Sequence, residues 1–326
     1  MDQPRLRFSE RARRAAKRAI PSAAKTVRWL VPLTAGGAFV ILLLRQSGAL
    51  AAIADAFAPV CRFVGLPGEA ALAYVSAYFV NIYACIAVMD AVGLSDPRAV
   101  TILSVMALCA HNIIAETAVQ VRTGSSALRM VFIRTAASIG MAWILNRLMP
   151  GSGGTDTAAP AAAAVVPDLA AATAWGPALR AWFVSTLRLL VKLSVLIFGL
   201  TLLQALLAEF GLIAWLGRRL RSVMRLFGLR PDTAFLWIVA NTLGLAYGAA
   251  IMIEECEQGR APKEESDLFN HHIAVAHSNI EDLLLLVSVG GSFGWLLLSR
   301  WALAWVLVWE RRLELSVRRK LRRETS

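Results

Sequence analysis

The sequence predicts an all-α, polytopic membrane protein. About eight apolar segments form two homologous repeats, inverted relative to each other and containing re-entrant or broken helices. Three observations predict this. The 326 residues are 57% hydrophobic and only 17% charged, with a mean hydropathy of +0.59, against roughly half and a quarter in soluble domains. The apolar residues gather into nearly uncharged runs long enough to approach or cross a hydrocarbon core of about 30 Å. The second half of the chain also echoes the first.

The first element is a basic tail, 1–28, with nine Lys/Arg against Asp2 and Glu10; the last is a basic tail, 311–326, with seven against Glu314 and Glu324. The tails carry +7 and +5 of the net charge of +12, and the residues between them sum to zero. A basic excess confined to the two flanks of a neutral apolar body follows the positive-inside rule. Both termini are therefore expected in the cytoplasm of a multi-pass inner-membrane protein. The lipid bilayer is its expected partner, and no nucleic acid is.

The first repeat, 29–149, holds apolar segments 29–44, 68–89, 97–120 and 126–148; the second, 181–310, holds 183–208, 231–253, 268–289 and 292–309. The first run, followed by Ala49-Leu50-Ala51, also fits a signal peptide. Its echo in the second half favours a retained span. Amphipathic stretches follow at 45–66 and 210–230, and the latter, with Arg218, Arg219, Arg221, Arg225 and Arg230, suits the cytoplasmic interface. An Ala/Gly/Pro-rich linker, 150–180, separates the repeats; residues 150–179 contain no Lys or Arg and suit the far side. Eight full crossings would place 150–179 inside and the Arg-rich stretch outside. One re-entrant segment per half removes both violations and makes the repeats inverted.

The duplication is legible residue by residue. "FVGLPGEAALAYV" at 63–75 parallels "LFGLRPDTAFLWI" at 226–238, and "VRWLVPL" at 27–33 parallels "LRLLVKL" at 187–193. Three residues further out of register, His111 falls on His277, Glu116 on Asp282, Arg134 on Arg300 and Trp143 on Trp309.

Ionisable groups in membrane segments cost about 2.5–3.5 kcal/mol on insertion scales and point to function. All four histidines, His111, His271, His272 and His277, lie in or at the end of apolar segments. His111 and Glu116 stand about 140° apart on a continuous helix and share a face only if the helix is broken between them. His277 and Glu281 are spaced i, i+4, which also makes them the candidate pair for a divalent metal. The run 267–286 adds Asp267, Asn270, His271, Ser278, Asn279 and Asp282 within about four turns. Such groups can hold a metal, relay protons, bind a polar solute or tie helices together. Asn112 beside His111, and Asn81 and Asn241 in the second span of each half, complete the candidate solute-binding or gating set. Arg134 and Arg300 either pair with the carboxylates or snorkel. Gly244 and Gly248 have the spacing of a close helix contact. The four cysteines form no C-x-x-C pair, and no Walker loop, dinucleotide fingerprint, nucleophile elbow or H-E-x-x-H occurs. Neither an enzyme nor an energy-coupling domain is expected, and no resident cofactor beyond a divalent metal.

"HNIIAET" at 111–117 and "NHHIAVAHSNIEDLLLLVSVGG" at 270–291 resemble the Gate, or nucleoside recognition, family of membrane proteins. The family groups segments of concentrative nucleoside transporters, the membrane part of ferrous iron transport protein B and the spore maturation membrane proteins. The resemblance spans roughly 30–148 and 187–310. It implies a transporter or gated pathway for a small polar or cationic solute, nucleoside-like or a divalent metal, with the His/carboxylate groups at mid-membrane depth. The chain lacks the iron transporter's GTPase domain and is shorter than a full nucleoside transporter. Two rivals stay open: a scaffold of the spore-maturation type, and a membrane-embedded metalloenzyme in which three or more ligands converge on one metal. A homo-oligomer or a separate membrane partner is compatible with each.

Overall fold

The computed structural model describes residues 8–49, 52, 56, 59, 61–150, 175–242, 253 and 262–324, and every regular element among them is helical. The first half contains α1 (Phe8–Gln46), α2 (Ala70–Phe79), α3 (Ile82–Ala91), α4 (Pro97–Ala110), α5 (Ile113–Arg122) and α6 (Ala127–Leu148). The second contains α7 (Trp175–Glu209), α8 (Leu212–Arg219), α9 (Arg221–Leu226), a 3-10 turn at Pro231–Thr233, α10 (Ala234–Thr242), α11 (Lys263–Ile273), α12 (Glu281–Ser288) and α13 (Phe293–Glu324). α1 packs along α7, α4 along α6 and α11 along α13.

Among the described residues, three stretches are long and apolar enough to cross a membrane: Pro97–Arg122, Ala127–Leu148 and Trp175–Glu209. The other expected segments take different forms. The run 29–44 lies inside α1, continuous with most of the basic tail, and 292–309 opens α13, which continues into the basic C-terminal residues. The run 68–89 splits into two ten-residue helices because the Asn81 side chain accepts the Ala84 N–H at 2.9 Å and restarts the chain as an N-cap. The run 268–289 splits into α11 and α12. Gly244, Tyr247, Gly248, Cys256, the stretch 254–261 and most of the linker lie outside the described residues, as do 243–252 and eight of the 22 positions of 45–66.

Burial is arranged for a lipid solvent. α4 begins where Asp96 accepts the N–H groups of Arg98 and Ala99, with Pro97 in its first turn, and it buries every residue from Ala99 to Ala110. α7 instead exposes Phe183, Val184, Leu187, Val191 and Val195, and α6 exposes Leu128 and Phe132. Meanwhile the guanidinium-bearing side chains of Arg134 and Arg300 are 0% exposed. An apolar exterior around a polar centre reverses the water-soluble pattern and suits helices set in hydrocarbon.

Candidate functional site

The centre is built where two broken helices meet. α4 stops at Ala110 and α5 starts at Ile113; between them Asn112 sits in the left-handed region at φ 44°. The chain likewise leaves α11 at Ile273 and enters α12 at Glu281, with Ser278 at φ 52°. Neither break contains glycine or proline, so each costs backbone strain that its surroundings must offset. Two kinds of contact do so. The Asn112 N–H donates to Ala77 O at 2.9 Å and the Ser278 N–H to Ala240 O at 3.0 Å, tying the first break to α2 and the second to α10. Arginines then satisfy the carbonyls the helix ends leave open. Arg134 donates from Nε to Cys109 O (3.1 Å) and from Nη2 to His111 O (2.6 Å). Arg300 donates from Nε to Val275 O (2.7 Å) and from Nη2 to His277 O (2.5 Å), and from Nη1 to Asn279 Oδ1 (3.0 Å).

The breaks bring His111 and His277 together, with ring centroids 5.1 Å apart. His111 Nδ1 donates to Ala107 O at 3.0 Å and His277 Nδ1 to Ile273 O at 2.6 Å, since a carbonyl oxygen can only accept. Both Nε2 atoms consequently face inward. His111 Nε2 lies 2.9 Å and His277 Nε2 3.2 Å from the same Glu116 oxygen, and His111 Nε2 lies 3.5 Å from Asp282 Oδ2. The other Glu116 oxygen faces Arg134 Nη2 at 2.7 Å. Beside this cluster the Tyr83 hydroxyl donates to Glu281 at 2.6 Å.

The proton inventory of this cluster is short. In a neutral imidazole whose Nδ1 carries the hydrogen, Nε2 is a lone pair, and an ionised carboxylate has only lone pairs. Two such atoms at hydrogen-bond distance require a proton or a cation between them. Formal charge agrees: Glu116, Glu281 and Asp282 outnumber Arg134 and Arg300 when the imidazoles are neutral.

The remaining sequence-predicted residues separate from this centre. The expected shared face of His277 and Glu281 is corrected, because Ser278 breaks the helix between them; Glu281 turns to Tyr83 while His277 turns to Glu116. The same break ends the expected four-turn face from Asp267 to Asp282. His271 and Asn270 belong to a second network. His271 Nδ1 donates to Asp267 O at 2.6 Å and its Nε2 accepts from Arg129 Nε at 2.8 Å, so both ring nitrogens are engaged. Asn270 donates to Thr123 Oγ1 and Ser125 Oγ, each at 2.9 Å. Ser125 donates to Asp267 at 2.6 Å, and Arg311 pairs with Asp267 at 2.7 Å. Asn81 is a helix cap, and Asn241 and Asn279 bond each other beside Arg300. His272 accepts the Trp237 indole N–H at 2.7 Å among aromatic rings. Sequence reasoning did not single out Thr123, Ser125, Arg129 or Arg311, which lie at the ends of segments where polar residues are ordinary.

Contacts at the helix ends complete the geometry. The Ser292 N–H, past the end of α12, donates to Thr101 near the start of α4, whereas Ser125, past the end of α5, bonds Asp267 near the start of α11. The end of each broken helix therefore lies beside the start of the other, and the two pairs run antiparallel.

Residues 27–127 match the family model described as Gate, nucleoside recognition, which bears out the resemblance carried by "HNIIAET". The chain is also 27% identical over 253 residues to the uncharacterized membrane protein YvoD of Bacillus subtilis (strain 168), a stretch covering 77% of this chain and 78% of that one. No solved structure matches. The match and the three apolar helices together support a membrane location.

Proposed function

We propose that the protein is an inner-membrane carrier or gated pathway for a small cationic or polar solute, built from two inverted repeats with both termini cytoplasmic. One observation carries it: two inward-facing imidazole nitrogens converge on one buried carboxylate at the crossing of two broken helices, an arrangement that demands a bound positive charge. Broken helices that place polar groups at mid-membrane are the usual construction of transporter sites. The repeat reading is supported by contacts recurring at a constant offset. Arg134 to the carbonyls of 109 and 111 matches Arg300 to those of 275 and 277, and His111 to 107 matches His277 to 273. The exchange is reciprocal as well, since Glu116 meets His277 and Asp282 meets His111. Reciprocal contacts are what a two-fold axis produces, and antiparallel equivalent helices are what inversion requires.

Rocking of one repeat against the other would open the cluster to alternate sides, with charge binding at Glu116 and the histidines biasing the two states. A scaffold would consume its polar groups in helix contacts; the network around Asn270 does this, whereas His277 Nε2 is buried with no hydrogen bond. The test is flux in proteoliposomes, with proton and cation movement followed by internal dyes. Wild type is expected to move charge and Glu116→Gln to stop it. Flux indifferent to Glu116→Gln would refute the reading.

A further inference from the structure

Building on the carrier reading of the same site, we propose that His111, His277, Glu116 and Asp282 are the four ligands of a divalent transition-metal ion, of the zinc, cobalt or ferrous class. The spacing of the donor atoms is the first ground. A metal with four nitrogen or oxygen ligands at about 2.0–2.1 Å places neighbouring ligand atoms about 3.3 Å apart at tetrahedral angles. The three measured edges of the cluster are 2.9, 3.2 and 3.5 Å. Donor atoms of His111, His277 and Asp282 also lie within 4.8 Å of one another.

Ligand preparation is the second ground. Each histidine donates Nδ1–H to a backbone carbonyl, the outer contact that fixes a ligating imidazole with its free nitrogen toward the metal. Arg134 holds the far oxygen of Glu116 and so leaves the near one for the ion. His277 is 1% exposed, and its Nε2 has no hydrogen-bond donor in reach. His111 Nε2, also buried, is aimed at the same Arg134-held carboxylate.

Chemistry then narrows the ion. Two imidazoles with two carboxylates suit zinc, cobalt and ferrous ions; magnesium and calcium prefer six or more oxygens, and among the described residues no thiolate reaches the cluster to favour a softer ion. Cys109 contributes only its carbonyl, to Arg134. With neutral imidazoles the bound ion and the two arginines offset the three carboxylates, leaving one unit of positive charge for an anion or a deprotonated water to neutralise.

The experiment is Co²⁺ titration of the chelator-stripped, full-length protein in detergent, read by visible absorption and by metal content after dialysis. One Co²⁺ per chain is expected, with d–d bands of a four- or five-coordinate nitrogen/oxygen site and no sulfur charge-transfer band. His277→Ala and Asp282→Asn are each expected to weaken binding by about 10- to 100-fold or more. A variant with Cys61, Cys85 and Cys109 changed to serine should bind as wild type does. Absence of binding to wild type, a sulfur band, or undiminished binding in Asp282→Asn would overturn the site, and these readouts stand even if His277→Ala does not fold. A protein that moves protons but takes up no Co²⁺ overturns the metal site and leaves the carrier standing. One that binds Co²⁺ at these residues yet carries no flux does the reverse.

Discussion

The Nε2 atom of His277 lies 3.2 Å from a carboxylate oxygen of Glu116, joining the second half of the chain to the first at a point closed to solvent. The same carboxylate neutralises Arg134. Glu116→Gln leaves that guanidinium buried without its anion, and loss of one partner from such a pair costs about 3–5 kcal/mol. His277→Gln removes this contact together with the Nδ1–H bond to Ile273 O. If the two act through one contact, the double variant is less destabilised than the sum, by about 0.5–3 kcal/mol. Reversible unfolding in detergent measures the cycle, and strict additivity would show that the contact carries no energy.

Arg300 gives a cleaner view of what holds the breaks open, because its bonds go to two carbonyls and an amide. Lysine at this position keeps the charge and loses the planar fork that reaches three acceptors. Arg300→Lys should therefore destabilise by about 1–3 kcal/mol, the cost of stranding buried acceptors. Retained stability would mean that the break is held by the Ser278–Ala240 backbone bond instead.

How far the sequence reached can be judged at these same residues. Apolar content, basic flanks and the pairing of His111 with His277 and Arg134 with Arg300 were readable because side-chain type records them. The breaks were not. Asn112 and Ser278 adopt left-handed backbone without glycine, and the partners at each break, the backbone N–H bonds and the carbonyls that Arg134 and Arg300 reach, carry no sequence signature. His111 and Glu116 were readable as partners only on condition of a break, and the break is present. His277 and Glu281 were matched by helical spacing, which fails where the helix does not continue. The segment 68–89 looked like one span since a capping asparagine inside an apolar run differs little in composition from a pathway residue.

Glycine is demanded at Gly65. It has φ +74°, and a Cβ there would stand 2.0 Å from Asn146 Oδ1. Gly65→Ala should destabilise by at least the roughly 1–2 kcal/mol of left-handed strain. Gly140 lies inside α6 with nothing within 4 Å of its missing Cβ. There the sign reverses: Gly140→Ala should stabilise by up to about 1 kcal/mol through helix propensity. Thermal midpoints of the two variants moving in the same direction would contradict this contrast.

A pH-dependent contribution is expected outside the membrane, at Glu314. Burial would raise this carboxyl, but the hydrogen bond from Arg311 and the charges of Arg129, Arg311 and Arg318 hold it below its ordinary value of 4.5. A carboxyl lowered on folding contributes stability that is fully present above its unfolded value and lost as pH falls through the folded one. Wild type should thus lose stability on acidification below about pH 4.5 more steeply than Glu314→Gln. Parallel pH profiles would remove Glu314 from the linkage.

Topology supplies the last prediction. Because Thr101 near the start of α4 meets Ser292 past the end of α12, and Asp267 near the start of α11 meets Ser125 past the end of α5, the equivalent helices of the two halves begin at opposite ends of the bundle. Inversion of the halves follows if these helices cross the bilayer, and it makes a specific demand on the first long helix of each. α1 then carries the chain from cytoplasm to far side and α7 carries it back, so Ser47 past α1 and Ser222 past α8 must face opposite compartments. By the positive-inside rule, the Arg-rich 218–230 is expected on the cytoplasmic side, and Ser222 with it. Single cysteines at Ser47, Ser222 and linker residue Thr155, in a background with the four native cysteines changed to serine, can be probed with a membrane-impermeant maleimide. Ser47→Cys and Thr155→Cys should label from outside intact cells, and Ser222→Cys only after lysis. External labelling at both Ser47→Cys and Ser222→Cys would make the halves parallel, and the antiparallel contacts would then have to lie along the membrane plane.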